Sequence, residues 1–300
     1  MKCDKTKFAL LVVVLVLSSS YTFAQKDSLR TLIEQISEKA KGDVGVCLIG
    51  LENNDTLSFN GNRHFPMQSV YKFPVALAVL TQIDKGMLSL DKKIFVKKKE
   101  LLPKTWSPLR EKYPNGNVKI TLAELLTYTV SMSDNNGCDI LFRLIGGTKM
   151  VNNHINNLGI KDIAIVATEE EMHKDWNVQF TNWCTPTAMG SLLNKFYKGE
   201  ILSQNSTKFL RRVMEETSTG PKRIKGLLPE RTIVAHKTGS SGSNEEGIIG
   251  ALNDVGIVTL PNGNHLAIVV FISNSSAEEN ECEKVIAEIT KVVWDRYVEN

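Results

Sequence analysis

Three short clusters in this sequence combine residue types that can move protons and acyl groups. In Ser69-Val70-Tyr71-Lys72 a hydroxyl and an amine stand three residues apart, ahead of the apolar run 73–80. On a helix beginning there, positions i and i+3 share a face. A serine beside a lysine at a helix N-terminus suits acyl transfer. A neutral amine takes the hydroxyl proton, and the terminal N–H groups attract negative charge. Ser133-Asp134-Asn135 follows between two predicted helices, and Lys237-Thr238-Gly239 ends a predicted strand. An S-x-x-K pattern arises ~1 time by chance in such a chain. Ser89-Leu90-Asp91-Lys92 is that chance copy, because charged and then strand-like residues follow it instead of an apolar helix. Each of the other two triplets has a chance expectation of order ~0.1, so their joint presence points to one site.

The elements that must position these residues are legible from periodicity. Leu29, Leu32, Ile33 and Ile36 define an amphipathic helix over 27–41. Strands are predicted at 44–51 and 56–59 around the turn residues Asn53-Asn54-Asp55, and a largely helical stretch runs from about 69 to 216. Thr121-Leu122-Ala123-Glu124 reads as a capping box, and Thr185-Pro186 opens a helix that Gly199 ends. Strands return at 232–237, 248–260 and 266–273, the last two joined by Pro261-Asn262-Gly263-Asn264. A final helix presents Cys282, Val285, Ile286, Ile289, Val293 and Tyr297 on one face. The expected class is α/β (α+β), with an antiparallel sheet assembled from both ends of the chain. One α/β lobe comes from 25–65 and 217–300, and an all-α lobe from 66–216.

Composition narrows the function. A chain of 300 residues, 42% hydrophobic and 23% charged, is globular rather than disordered. Lys2, Lys5 and Lys7 precede a ten-residue apolar run and then Thr22-Phe23-Ala24, the order of a secretory signal cleaved after Ala24. Removing residues 1–24 leaves 33 basic and 32 acidic residues, a balance that favours neither nucleic acid nor an anionic membrane as partner. Lys97-Lys98-Lys99 reads as solvated surface. Cys47, Cys138, Cys184 and Cys282 form no C-x-x-C, sit among apolar residues and read as small buried hydrophobes. The scattered histidines form no ligand pair, so no metal is expected.

At the three clusters the sequence resembles the class A serine β-lactamases, over essentially the whole mature chain. The resemblance implies a β-lactamase/transpeptidase-like fold with a five-stranded antiparallel sheet. It also implies hydrolysis of penicillins and cephalosporins through a serine acyl-enzyme, by an exported, periplasmic monomer without cofactor. Penicillin-binding proteins share the three motifs. Class A enzymes add a Glu on a loop after the helical core, in a pattern E-x-x-x-N, to activate the deacylating water. Here that loop reads Ala167-Thr168-Glu169-Glu170-Glu171-Met172-His173. Glu169 has His173 four residues on, a side chain able to hold water. Glu170 and Glu171 have Lys174 and Asp175 there, poorer matches. Glu169 is therefore the expected base.

The resemblance implies Ser69 as nucleophile, activated by Lys72, by Glu169 through a water, or by both, and Ser133 as proton donor to the leaving nitrogen. It places the main-chain N–H groups of Ser69 and Ser240 in an oxyanion hole and Asn135 on the acylamide side chain. It makes Arg223 a second carboxylate ligand and Trp106 an aromatic gatekeeper. Charge argues independently for Lys237 and Thr238, since a β-lactam carries a carboxylate that needs a cation and a hydroxyl. Gly239 would let the substrate approach the strand closely. Asp134, His236 and Pro74 read as structural.

Departures from the common pattern are His173 and Asp139, where the family usually has Asn, and Ala167 and Asn182, where it usually has an Arg–Asp ion pair. Together they resemble the extended-spectrum, PER-type cephalosporinase branch. They imply a wider, rearranged loop that admits bulky oxyimino-cephalosporins. The rivals are a D,D-peptidase with slow deacylation, disfavoured by the Glu169 loop and the signal, and a non-hydrolysing β-lactam sensor, which needs a transmembrane segment.

Overall fold

The computed structural model describes residues 28–298, so the expected signal, 1–24, lies outside the described residues. The chain runs α1 (28–38), β1 (Asp43–Gly50), β2 (Thr56–Phe59), β3 (Phe65–Pro66), a 3₁₀ turn (Gln68–Tyr71), α2 (Lys72–Asp84), β4 (Lys93–Val96), α3 (Pro108–Lys112) and β5 (Val118–Thr121). Then come α4 (Leu122–Val130), α5 (Asn135–Ile145), α6 (Thr148–Asn157), β6 (Ile163–Ala164), α7 (Glu169–Lys174), a further 3₁₀ turn (Trp176–Thr181) and β7 (Trp183–Cys184). The remainder is α8 (Pro186–Tyr197), α9 (Gln204–Glu215), β8 (Val234–Ser240), β9 (Ile249–Thr259), β10 (His265–Ser275) and α10 (Glu279–Val298).

Five strands form one antiparallel sheet in the order β2-β1-β10-β9-β8. Both faces are covered. One packs Cys47, Ile49, Val255, Ile257, Val269 and Phe271 into the core shared with α2, α5 and α8, and the other packs Val46, Leu48, Ile268, Val270 and Ile272 against α1 and α10. Double burial explains the unbroken apolar stretch Leu266–Ala267–Ile268–Val269–Val270–Phe271–Ile272, since neither alternate set faces water. The β9–β10 hairpin closes on Gly263, whose φ of +86° no side-chain-bearing residue adopts cheaply.

Several expectations are corrected in detail. Leu32 is 43% exposed, leaving Leu29, Ile33 and Ile36 as the buried stripe of α1. On α10, Tyr297 is only half-buried, whereas Trp294 is buried. Lys237-Thr238-Gly239 lies inside β8 rather than at its end, because its backbone pairs with Val255, Asp254 and Asn253. The segment expected to be all-α contains the two-stranded sheet β4-β5 and most of the small sheet β3-β7-β6. The outward-inward alternation of Lys93–Val96 accounts for β4, with Ile94 and Val96 buried. At Thr121 only half of the capping box forms. The Thr121 hydroxyl accepts from Glu124 N, but the Glu124 carboxylate turns to Lys112 and Tyr113. Cys47, Cys138, Cys184 and Cys282 are all unpaired and buried, and burial pushes the Cys47 thiol up to about 12.

Candidate active site

The nucleophile candidate does not start the α-helix. Ser69 lies in the 3₁₀ turn before α2, following Gln68 at φ +47°, and Lys72 is the first residue of α2. Residues 73–80 are buried without exception, so α2 is a central core helix whose N-terminal end is held by packing. The turn itself is held from three sides. Met67 N donates to Asn182 O (2.9 Å), and Asn253 Nδ2 donates to Pro66 O (2.8 Å) and Met67 O (3.1 Å). Gly239 explains the third: a Cβ there would fall 2.5 Å from Met67 O and 3.3 Å from Ser69 N. The room that Gly239 makes is taken up in part by the nucleophile turn.

Lys72 is 0% exposed, and a buried ammonium is tolerable only with partners. Its Nζ lies 2.8 Å from Ser69 Oγ, 2.8 Å from Ser133 O and 2.6 Å from Asn135 Oδ1. Glu169 Oε1 is 2.9 Å away as an ion-pair contact, though no hydrogen bond is aligned and that buried oxygen makes none to the protein. Ser133 adopts φ +58°, and its Oγ accepts from Lys237 Nζ at 2.8 Å. The two lysines therefore bracket Ser133. Lys237 is also fully buried. Burial, then the positive charges of Lys72 and Arg223, hold its ammonium well below the usual lysine range, with Asp254 and Glu169 opposing. Asp134 has no catalytic partner: its carboxylate accepts from Ser107 Oγ, Leu109 N and Gly137 N, capping α5.

The three adjacent acids of α7 have three different environments. Glu171 completes a capping box with Thr168, and Glu170 pairs with Lys174 in solvent at 3.0 Å. Glu169 alone is buried, against Lys72. His173 is exposed. The loop's base is built from side chain–backbone bonds. Asn182 Oδ1 accepts from Val166 N (2.8 Å) and Ala167 N (2.9 Å), and its Nδ2 donates to Ala167 O (2.8 Å). Asp139 accepts from Glu169 N and Glu170 N, each at 2.9 Å. The missing Arg–Asp pair is thus replaced by an amide and a helix cap.

Beside these residues opens a cleft of about 220 Å³, lined by Ser69, Trp106, Ser133, Asn135, Thr219, Arg223, Thr238, Gly239 and Ser240. Lys72, Glu169 and Lys237 lie beneath it. Trp106 is 56% exposed at the mouth, its indole donating to Met132 O. Asn135 uses its oxygen on Lys72 and one N–H on Thr105 Oγ1, keeping a second N–H for a ligand. Arg223 is buried: Nη1 donates to Gly239 O and Asn253 O, Nη2 to Ser240 Oγ, and Nε to Glu283 Oε1. Sequence reasoning missed Asn253, Thr219 and Glu283, whose parts depend on tertiary contact. The Thr168–Glu171 capping box, by contrast, was a local signal able to separate the three acids.

Comparison with known proteins agrees with this geometry. A sequence model described as the β-lactamase enzyme family matches residues 27–297. The chain is 49% identical to β-lactamase VEB-1 of Pseudomonas aeruginosa, over 97% of this chain and 98% of that protein. It is 40% identical to the extended-spectrum β-lactamase PER-1 of the same species, over 92% and 90%. Among solved structures, the TLA-1 extended-spectrum β-lactamase superposes with a TM-score of 0.89 at 60% identity, covering 91% of this chain and 99% of that one. A β-lactamase from Chitinophaga pinensis gives 0.89 at 54%, covering 90% and 99%. With a serine–lysine pair, an S-D-N turn and a K-T-G strand around one cleft, and with these relatives along nearly its whole length, the chain belongs to the class A β-lactamase family.

Proposed function

We propose that the chain hydrolyses the lactam ring of penicillins and cephalosporins through an acyl-enzyme on Ser69, and thereby confers resistance to them. The observation that carries this reading is that one buried amine, Lys72, touches both Ser69 (2.8 Å) and Glu169 (2.9 Å) beneath an open cleft.

Ser69 Oγ bonds to the lactam carbonyl carbon and gives up its proton to Lys72, or to Glu169 through a water. The heavy-atom positions suit both routes. Lys72 donates to two obligate acceptors, Ser133 O and Asn135 Oδ1, so its third position is a proton toward Ser69 in the ammonium and a lone pair in the amine. The oxyanion falls to the N–H groups of Ser69 and Ser240, one such donor being worth ~3–4 kcal/mol in the transition state. The C–N bond breaks, the ring nitrogen takes the Ser133 hydroxyl proton, and the proton lost by Ser69 replaces it. Glu169, whose Oε1 has lone pairs free of protein donors, then takes a proton from a water as that water attacks the acyl carbon. Ser69 leaves with the proton.

Lys237, Thr238 and Arg223 are proposed to hold the substrate carboxylate, Asn135 the acylamide, and Trp106 the wall of the cleft mouth. A carboxylate would add counter-charge beside the Lys237 ammonium, which burial disfavours. The amide-anchored Glu169 loop supports turnover of bulky oxyimino-cephalosporins, and benzylpenicillin hydrolysis with no detectable oxyimino turnover would contradict that part. Among the described residues no helix is long and apolar enough to cross a membrane. The proposed mature form is a periplasmic monomer, 25–300, made as one catalytic domain with its two lobes.

A chromogenic cephalosporin tests the reading. Sustained turnover is expected. One stoichiometric burst would mean a peptidase or a sensor that captures the antibiotic and keeps it.

A further inference from the structure

Behind the cleft, on the side of β8 away from Ser133, sits a buried polar pair that the proposed chemistry does not use. His236 Nδ1 lies 2.9 and 3.0 Å from the two carboxylate oxygens of Asp254, and both residues are 0% exposed. His236 Nε2 is buried and has no hydrogen-bond partner. An apolar pair would join β8 to β9 without the cost of burying a carboxylate, which replacement by hydrocarbon often relieves. The position therefore calls for an account beyond strand pairing.

The Asp254 carboxylate and the main chain of His236 both hold a neighbouring segment. Asp254 Oδ2 accepts from Ile224 N (3.2 Å), and His236 O accepts from Thr217 Oγ1 (2.7 Å). These two bonds tie both ends of the 217–224 segment to the β8–β9 ladder. The segment has neither helix nor strand, so it depends on such anchors. It carries Thr219, whose hydroxyl meets that of Thr238, and Arg223, which reaches Gly239 O and Ser240 Oγ. The fit is tight: a Cβ on Gly220 would come within 2.7 Å of Thr238 Cγ2 and 3.0 Å of Arg223 Cδ. A small shift of the segment therefore displaces Arg223 or Thr238.

We propose that His236 and Asp254 are positioning residues for the carboxylate-binding side of the cleft, fixing Thr219 and Arg223 against the Thr238–Ser240 edge. The proposal rests on the reading of Lys237, Thr238 and Arg223 as the carboxylate site. His236 touches no substrate. It acts through Asp254 and the 217–224 segment.

The test compares kcat/KM for a cephalosporin bearing its free C4 carboxylate with that for the C4 methyl ester of the same compound. Wild type prefers the acid. In His236→Ala the acid-to-ester ratio falls about tenfold, chiefly through KM for the acid, the loss expected when a charge-assisted hydrogen bond is misplaced. In His236→Asn, whose side-chain N–H still reaches Asp254, the ratio recovers to near wild type. Asp254→Asn keeps the shape, removes the charge and lowers the ratio as His236→Ala does, so the expectation survives if the alanine variant fails to fold. Acid and ester rates falling in parallel, or a ratio unchanged in both variants, overturns the proposal. A wild type indifferent to esterification overturns instead the carboxylate-site reading on which it rests.

Discussion

Glu169, Glu170 and Glu171 carry the same group into three environments, and only position separates a catalytic candidate from a cap and a surface ion pair. Spacing singled out Glu169, and Glu169 is the acid buried against Lys72. The physical cause is not His173, which faces solvent, but Asp139 beneath the first turn of α7. Burial, reinforced by the charge of Glu169, pushes the Asp139 carboxyl up to about 6. A raised carboxyl pKa means the fold disfavours the ionised form. This group's contribution to stability is therefore full below its ordinary range near 4 and lost as pH rises through about 6. At roughly 1.4 kcal/mol per unit the penalty at neutral pH is about 3 kcal/mol. Thermal midpoints from pH 8 to 5 should rise more in wild type than in Asp139→Asn, which cannot titrate. A constant difference across that range contradicts the assignment.

Elements were legible where a face is regularly buried and illegible where geometry is made by contact. The alternation and apolar runs of β1, β9 and β10 and the turn residues between them identify the sheet. Strands such as β3, β6 and β7 are two residues each, too short for any period to appear. Nor could sequence show that Asn182 serves two elements, with its side chain bonding Val166 and Ala167 and its carbonyl holding Met67 beside the nucleophile. Asn182→Ala removes the side-chain bonds and keeps the carbonyl. The expected loss is about 2 kcal/mol, or a thermal midpoint lower by ~4–8 °C. Acyl-enzyme should also accumulate as the Glu169 loop loosens, which intact-mass detection during turnover reads. An unchanged midpoint would mean that the loop is held elsewhere.

At the scale of the molecule, one sheet separates two cores, and the site grows from both. The core around α2 carries Ser69 and Lys72, while α10 on the other face covers the sheet and sends Glu283 to Arg223. Val285, Ile286, Ile289, Val293 and Trp294 are buried there. At ~1.5–3 kcal/mol each their burial contributes about 10 kcal/mol, comparable with the ~5–15 kcal/mol of a whole domain. A chain ending at residue 278 should therefore yield no soluble enzyme, and a soluble, active truncation would refute that weight. The catalytic reach has two ends, a hydroxyl on one turn and a carboxylate on a distant helix, bridged by Lys72. Intact-mass spectrometry of Glu169→Gln mixed with a cephalosporin tests that bridge. A stable acyl adduct on Ser69 is predicted, with its hydrolysis slowed ~10²–10⁴-fold as befits loss of a general base, while Glu170→Gln turns over like wild type. Rapid deacylation by Glu169→Gln, or a stalled adduct in Glu170→Gln, would mean that Glu169 is not the deacylating base.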